Sequence, residues 1–346
     1  MSWRCGAIEN SVVFFPDGAI RPCCFIDSSY KKDITEIFND PFADLRTGTA
    51  PDVCHQCTNL EKNNIESYRS SFKLFDDRKY RYLDIRNFNS CNMKCRTCGP
   101  NNSSLWGQEL GYKDFLKKQE INSYLEKLTS DDIIKIYYTG GEPLLNPDHW
   151  KLLELLIDKG YSKNIILEYN TNGTIVKYKD KDIIDIWNQF KEVSLMVSID
   201  AVGEEFNILR HGGDWKEVKD NLLTMQSWPV NLSIAVTVSL LNIWFLENIF
   251  TELKGFKIRL HEATSPPYLC LPAIDERYKE QALECLNKIK EYITEPNFQY
   301  LSSRLIDNHD CQIFKEAVLH VLMLDKKRNE NLFDRLPFKD YSIIDV

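Results

Sequence analysis

The chain has 346 residues, and 43 Lys and Arg stand against 51 Asp and Glu, a formal net charge of −8. A surface this acidic carries no general footprint for a nucleic-acid backbone, so nucleic acid is not an expected partner. No apolar stretch approaches the ~18 residues a spanning helix needs, and the start, Met1-Ser2-Trp3-Arg4-Cys5, lacks the apolar core of a signal peptide; a cytoplasmic location away from membranes is expected.

Residues 1–75 read as a small unit. Val12–Phe15, then Pro16-Asp17-Gly18, then Ala19-Ile20-Arg21 has the pattern of a hairpin, and Asp33–Asn39 that of a short helix. So short a segment has little core of its own, and such units often need a staple such as a metal. Eight of the 11 cysteines lie before residue 100, and thiols clustered this way in a cytosolic chain point to metal rather than to disulfides.

From about residue 81 the pattern alternates. β-rich runs at Arg81–Arg86, Ile133–Thr139, Asn164–Asn170, Val193–Asp200, Asn231–Ser239 and Phe256–His261 are separated by helical patterns at Asp148–Lys159, Asp182–Phe190, Asp214–Ser227 and Ile243–Leu253. Val193–Ile199 is nearly all apolar, as a strand covered on both faces should be. Alternation predicts right-handed βαβ units and a parallel sheet, either doubly wound or an incomplete (β/α) barrel, with ligands at the carboxyl ends of the strands. Residues 275–346 read as helical and charged, with Glu276–Ile293 and Cys311–Leu324 the clearer helices.

After the first of these strands comes Cys91-Asn92-Met93-Lys94-Cys95-Arg96-Thr97-Cys98, a C-x3-C-x2-C run. Three thiolates cannot complete a four-ligand structural zinc site, but they can hold three irons of a cubane and leave the fourth iron open. The alternative is a zinc site whose fourth ligand lies elsewhere. The next strand ends in Gly140-Gly141-Glu142-Pro143, where two glycines admit a close backbone approach and Glu142 can accept hydrogen bonds from an ammonium group.

With these motifs, and with Asn170-Thr171-Asn172-Gly173-Thr174, Ser198-Ile199-Asp200 and Glu204–Arg210, the chain resembles the radical S-adenosylmethionine (SAM) superfamily over roughly residues 80–262. The resemblance implies an α/β fold, a partial (β/α)6 TIM-like barrel. It also implies a [4Fe-4S] cluster on Cys91, Cys95 and Cys98 whose open iron chelates SAM. By the same resemblance Gly140, Gly141, Glu142 and Pro143 contact the SAM amino group, Asn170 and Ser198 lie near the ribose, and Arg210 near the carboxylate. Thr97 departs from the apolar or aromatic residue often found before the third cysteine. Asp200 has a plain alternative as a helix cap, and Arg210 one as a partner of Glu204 or Glu205.

Cys5, Cys23, Cys54 and Cys57 look like the ligands of a twitch domain, the shortened form of the SPASM module, here placed before the barrel; the resemblance implies an auxiliary [4Fe-4S] cluster. A four-cysteine zinc ribbon is the alternative. Cys24 and His55 are not counted as ligands, Cys285 reads as a buried small apolar residue, and His149, His211, His261, His309 and His320 as structural. The expected organisation is therefore an auxiliary cluster domain at 1–75, the barrel at 76–265 and a helical C-terminal extension at 266–346. The expected function is reductive SAM cleavage and hydrogen abstraction from a peptide or natural product. A small carbohydrate- or nucleoside-like substrate is the alternative, and a non-enzymatic zinc or iron–sulfur interaction protein the alternative from another class. An electron donor such as flavodoxin or ferredoxin is the expected partner.

Overall fold

A computed structural model describes residues 3–62, 66–179, 181–307 and 311–341; His309 falls outside these. The strands of the main sheet are β1 (Ser11–Phe14), β2 (Ala19–Arg21), β3 (Lys32–Asp33), β4 (Tyr82–Ile85), β5 (Lys135–Tyr138), β6 (Ile166–Thr171), β7 (Glu192–Ser198), β8 (Asn231–Val238) and β9 (Ile258–Glu262). They lie in the order β9-β8-β7-β6-β5-β4-β1-β2-β3.

The strands from β4 to β9 are all parallel and follow one another in chain order. Every crossover therefore steps the same way, and with right-handed connections the intervening helices fall on one face while the other curls inward. This winding is that of a partial barrel and excludes the doubly wound alternative, whose order reverses at a switch point.

Burial follows the pleat. In β6 and β7 the outward residues Leu167, Tyr169, Val193, Leu195 and Val197 are buried under the helices. Each such side chain contributes roughly 1.5–3 kcal/mol. The inward residues Glu168, Asn170, Ser194, Met196 and Ser198 are only half-buried and mostly polar. The Val193–Ile199 run thus has one covered face and one facing the barrel interior, because a partial barrel leaves its concave side open. On that side the amino halves of β6 to β9 wall a cavity of about 620 Å³, with Tyr137, Glu168, Ser194, Met196, Ser233 and Arg259 in its lining.

The amino-terminal hairpin forms as expected, with Phe14 opposite Ile20 and Gly18 at φ 84°. β1 also pairs in parallel with β4, placing Val12 opposite Leu83 and Phe14 opposite Ile85. The hairpin extends the barrel sheet, and its apolar residues join the same core as the barrel strands. At 33–39 the chain makes only a single 3-10 turn, Ile34–Glu36, held by a capping box between Asp33 and Glu36. The carboxyl-terminal region forms helices Glu276–Lys288, Glu295–Ile306 and Cys311–Arg328. The middle one is a helix that sequence periodicity did not mark.

Candidate active site

Cys91, Cys95 and Cys98 sit on the loop that leaves the carboxyl end of β4. Asn89 shapes the approach: its Nδ2 donates to Pro100 O and Phe115 O (both 2.9 Å) and its Oδ1 accepts from Lys117 N (2.7 Å). Cys95 is buried and the other two thiols are half-buried. Burial, and then the neighbouring Cys95 thiol, push both Cys91 and Cys98 up to about 12. Free thiols here are held protonated, and only a strong metal–thiolate bond offsets the cost of ionising three of them in one buried spot.

Two other strand ends and one helix end close around this loop. Gly141 N donates to Phe88 O (3.2 Å) and Glu142 N to Ser90 O (2.8 Å). A Cβ on Gly141 would lie 2.1 Å from Ser90 O, and one on Gly140, at φ 107°, 2.9 Å from Phe88 O. The close approach these glycines permit is to the cysteine loop itself. After β6, Asn172 Nδ2 donates to Asn92 Oδ1 (2.7 Å) and lies 4.0 Å from Cys91 Sγ. After the Gly203–Leu209 helix, Lys94 N and Arg96 N donate to His211 O and Leu209 O (both 2.7 Å), and Gly212 and Gly213 leave room for Asn92 and Met93.

Glu142 lies differently from its expected role. It is 1% exposed, and its carboxylate accepts from Asn172 N (2.7 Å), Thr171 Oγ1 (2.9 Å) and Leu144 N (3.2 Å). The side chain ties the β5 loop to the β6 loop and has little capacity left for an ammonium group. Burial, only partly offset by these donors, raises its pKa to about 7. A carboxyl titrating near 7 when folded and near 4.5 when unfolded gives stability that is full below pH 4.5 and lost as pH rises through 7. The loss amounts to about 3 kcal/mol. Relative to Glu142→Gln, wild type should lose stability between pH 5 and pH 8; denaturant unfolding at both pH values checks this, and a pH-independent difference refutes the assignment.

Asn170 Oδ1 is buried with no hydrogen-bond partner, and so is Arg210 Nε. The Arg210 Nη1 pairs with Asp200 at 2.7 Å, while Glu204 and Glu205 pair instead with Arg335. Burial works against the Arg210 charge, but Cys95 and Asp200 outweigh it and its pKa is raised. Asp200 also accepts from Thr237 N (3.0 Å). Ser198 ends β7 beside this pair, half-buried on the inner face. Arg210 feels the Cys95 and Cys91 thiols, and its Nε, without a partner among the described residues, is a buried donor that a charged ligand could use.

A family model for the radical SAM superfamily matches residues 87–237. That stretch is similar to the radical SAM domain. The matched stretch contains the cysteine loop, the Gly140–Pro143 segment, Asn170, Ser198 and Arg210, and the superfamily is one of enzymes. An uncharacterized protein of Methanocaldococcus jannaschii is 30% identical over 188 residues, 52% of this chain and 60% of that protein. The GTP 3′,8-cyclase of Campylobacter fetus subsp. fetus is 26% identical over 226 residues, 62% of this chain and 66% of the cyclase. The chain thus spans less than two thirds of the length of these relatives. Among solved structures, native anSMEcpe with bound AdoMet aligns with a TM-score of 0.44 at 17% identity, over 70% of this chain and 66% of that one. SuiB of Streptococcus suis bound to S-adenosylmethionine aligns at 0.42 and 17%, over 80% and 57%.

Beside the matched stretch, Cys5, Cys23, Cys54 and Cys57 line one small cavity, otherwise walled mainly by apolar groups such as Trp3, Ile8, Phe25 and Phe72. Arg69 also lines it, paired with Glu61 at 2.7 Å. Burial, and then the Cys5 and Cys57 thiols, push Cys54 up to about 12. Cys24 lines a different cavity, of about 200 Å³ against the inner face of β4 and β5, with Asp84, Lys135 and Tyr137. Cys23 lines both. Among the described residues no three His, Cys, Asp or Glu side chains converge as ligands of a single ion, and no helix is long and apolar enough to cross a membrane. His149 is a core residue bonded to Tyr169 (2.8 Å), and its pKa is lowered to about 3 by burial. Cys285 is half-buried, and all 11 cysteines are free.

Proposed function

We propose that this chain is a cytoplasmic radical SAM enzyme in which Cys91, Cys95 and Cys98 hold a [4Fe-4S] cluster and leave one iron to SAM. The observation that carries this reading is three free thiols on one loop at the carboxyl end of β4, with Asn172 Nδ2 4.0 Å from Cys91 Sγ and the buried Arg210, its charge reinforced by Cys95, behind them. Bound there, a cluster reduced by one electron from a flavodoxin or ferredoxin would pass it to SAM, giving methionine and a 5′-deoxyadenosyl radical able to take hydrogen from a substrate. Asn170 and Ser198 serve the ribose, Arg210 the methionine carboxylate, and the Gly140–Pro143 segment the ammonium, through backbone carbonyls because the Glu142 carboxylate is already engaged.

Cys5, Cys23, Cys54 and Cys57 hold an auxiliary [4Fe-4S] cluster in the same reading. Four thiolates around one cavity support it, and Arg69 offsets part of their charge. A cluster with every iron closed suits electron transfer from a flavodoxin or ferredoxin, or support of the residues around it.

The substrate is a peptide or natural product that enters the polar barrel interior. The ion pairs there, Asp84 with Arg86 (2.7 Å) and Lys135 with Glu168 (2.9 Å), leave those charges balanced. A nucleoside-like substrate is the second reading: Lys257 and Arg259 line the same cavity with no ion pair among the described residues, and GTP 3′,8-cyclases are among the similar sequences.

Anaerobic reconstitution with iron and sulfide should load two cubanes and give 5′-deoxyadenosine from SAM under a strong reductant. A colourless protein holding zinc without sulfide would favour the interaction-protein alternative. Cys23→Ser should lose the auxiliary cluster, whereas Cys24→Ser, on the barrel cavity, should keep full iron content. Equal loss from both would mean a different ligand set.

A further inference from the structure

Arg96 lies between the second and third cysteines of the loop, and its side chain is 0% exposed. Its Nη2 meets Asp325 and, at 2.5 Å, Glu330, both from the end of the Cys311–Arg328 helix and the turn after it. Glu330 in turn meets His211 Nδ1 at 2.5 Å, and Asp325 accepts from Phe333 N at 2.8 Å. One residue before Cys95, the Lys94 carbonyl accepts from Arg328 Nη1 (3.0 Å), and the Lys94 ammonium and Arg328 share Glu109 (2.9 and 2.7 Å). The Cys95 carbonyl itself accepts from Trp106 Nε1 (2.8 Å). Both neighbours of the buried Cys95 are thus gripped by the carboxyl-terminal segment, which lies outside residues 87–237.

This arrangement is a poor choice for stability alone. Arg96 Nε and Nη1 have no partner, and a buried ion pair is often no better than apolar packing of the same volume. Asp325 also stands in the last turn of its helix, where the helix dipole disfavours a carboxylate. What the arrangement does provide is a guanidinium and two carboxylates locked against the loop that carries three thiolates. Fixed charges and hydrogen bonds around a cluster tune its potential, and groups that orient the ligands tune its retention.

We infer that Arg96, Asp325 and Glu330 form a clamp of positioning residues, by which the carboxyl-terminal segment holds the cysteine loop closed over the cluster and sets the local charge. The inference rests on the reading that Cys91, Cys95 and Cys98 hold that cluster. The test uses the reconstituted full chain with Glu330→Gln and Arg96→Met, following the paramagnetic signal that SAM perturbs. Both variants loosen the clamp, so both should release iron from this cluster to a chelator about tenfold faster than wild type. Their effects on the midpoint potential should be opposite in sign. Removing a carboxylate moves it positive, and removing the guanidinium moves it negative. Wild-type release rates, or shifts of the same sign or none, overturn the clamp. If Arg96→Met does not fold, Glu330→Gln decides alone: a positive shift with faster release supports the clamp, and anything else overturns it. A wild-type chain without iron at these thiols overturns the underlying reading instead. The clamp is then read from iodoacetamide labelling of Cys95 in the cluster-free chain, which Glu330→Gln must speed about tenfold or the clamp fails.

Discussion

Replacing Cys91, Cys95 and Cys98 together by Ala should remove about half the iron of the reconstituted protein and all formation of 5′-deoxyadenosine. The three thiols stand on one loop, and no other cysteine lines that place: Cys5, Cys23, Cys54 and Cys57 ring a separate cavity, and Cys270 is buried behind β8 and the carboxyl-terminal helices. A cubane cannot be held by the remaining side chains of the loop, since Asn92, Lys94 and Thr97 offer no thiolate. In the cluster-free chain burial keeps these thiols protonated, so replacing them removes no charge and only the packing of three small side chains. The triple variant should therefore fold about as well as the cluster-free wild type. Iron and sulfide analysis, with chromatographic assay for 5′-deoxyadenosine, checks both halves. Nucleoside still formed by the triple variant would refute the assignment of this loop.

Gly141→Ala should be nearly as damaging without touching a ligand. The new methyl would stand 2.1 Å from Ser90 O and 2.8 Å from Asn89 C, and both are backbone, so neither can swing aside. The β5 end and the cysteine loop would have to separate by about an ångström, which would break the Gly141 and Glu142 backbone bonds that dock them. The expected cost is roughly 3 kcal/mol, at the upper end of ordinary overpacking. Whatever protein is recovered should bind iron at the amino-terminal cavity but not at the displaced loop. Gly160→Ala is the control. Its Cβ would meet open space, so only the strain of φ 74° remains, about 1–2 kcal/mol, and cluster loading should be unchanged. If Gly141→Ala loads iron and melts like Gly160→Ala, the close approach is not what the loop depends on.

The sequence by itself determined a good deal of this protein. Six strand positions were legible because parallel strands buried on one face are short, β-branched and apolar, and because the helices between them carry marked starts such as Asn146-Pro147 and Asp214. The cysteine triad and Gly140–Pro143 were legible because they are local: a handful of adjacent residues carries both the chemistry and the turn. Only the tertiary structure decided the rest. The pairing of β1 with β4 joins residues about 70 positions apart and has no local signature. Glu142 could not be told from a ligand-facing carboxylate until Asn172 and Thr171 were seen to occupy it. The grip of Asp325 and Glu330 on Arg96 spans 229 and 234 positions, and nothing near Arg96 announces its partners. Motifs are written in neighbours along the chain, whereas the burial that shifts a pKa and the partners that satisfy a buried charge are set by contacts that exist only after the chain has folded.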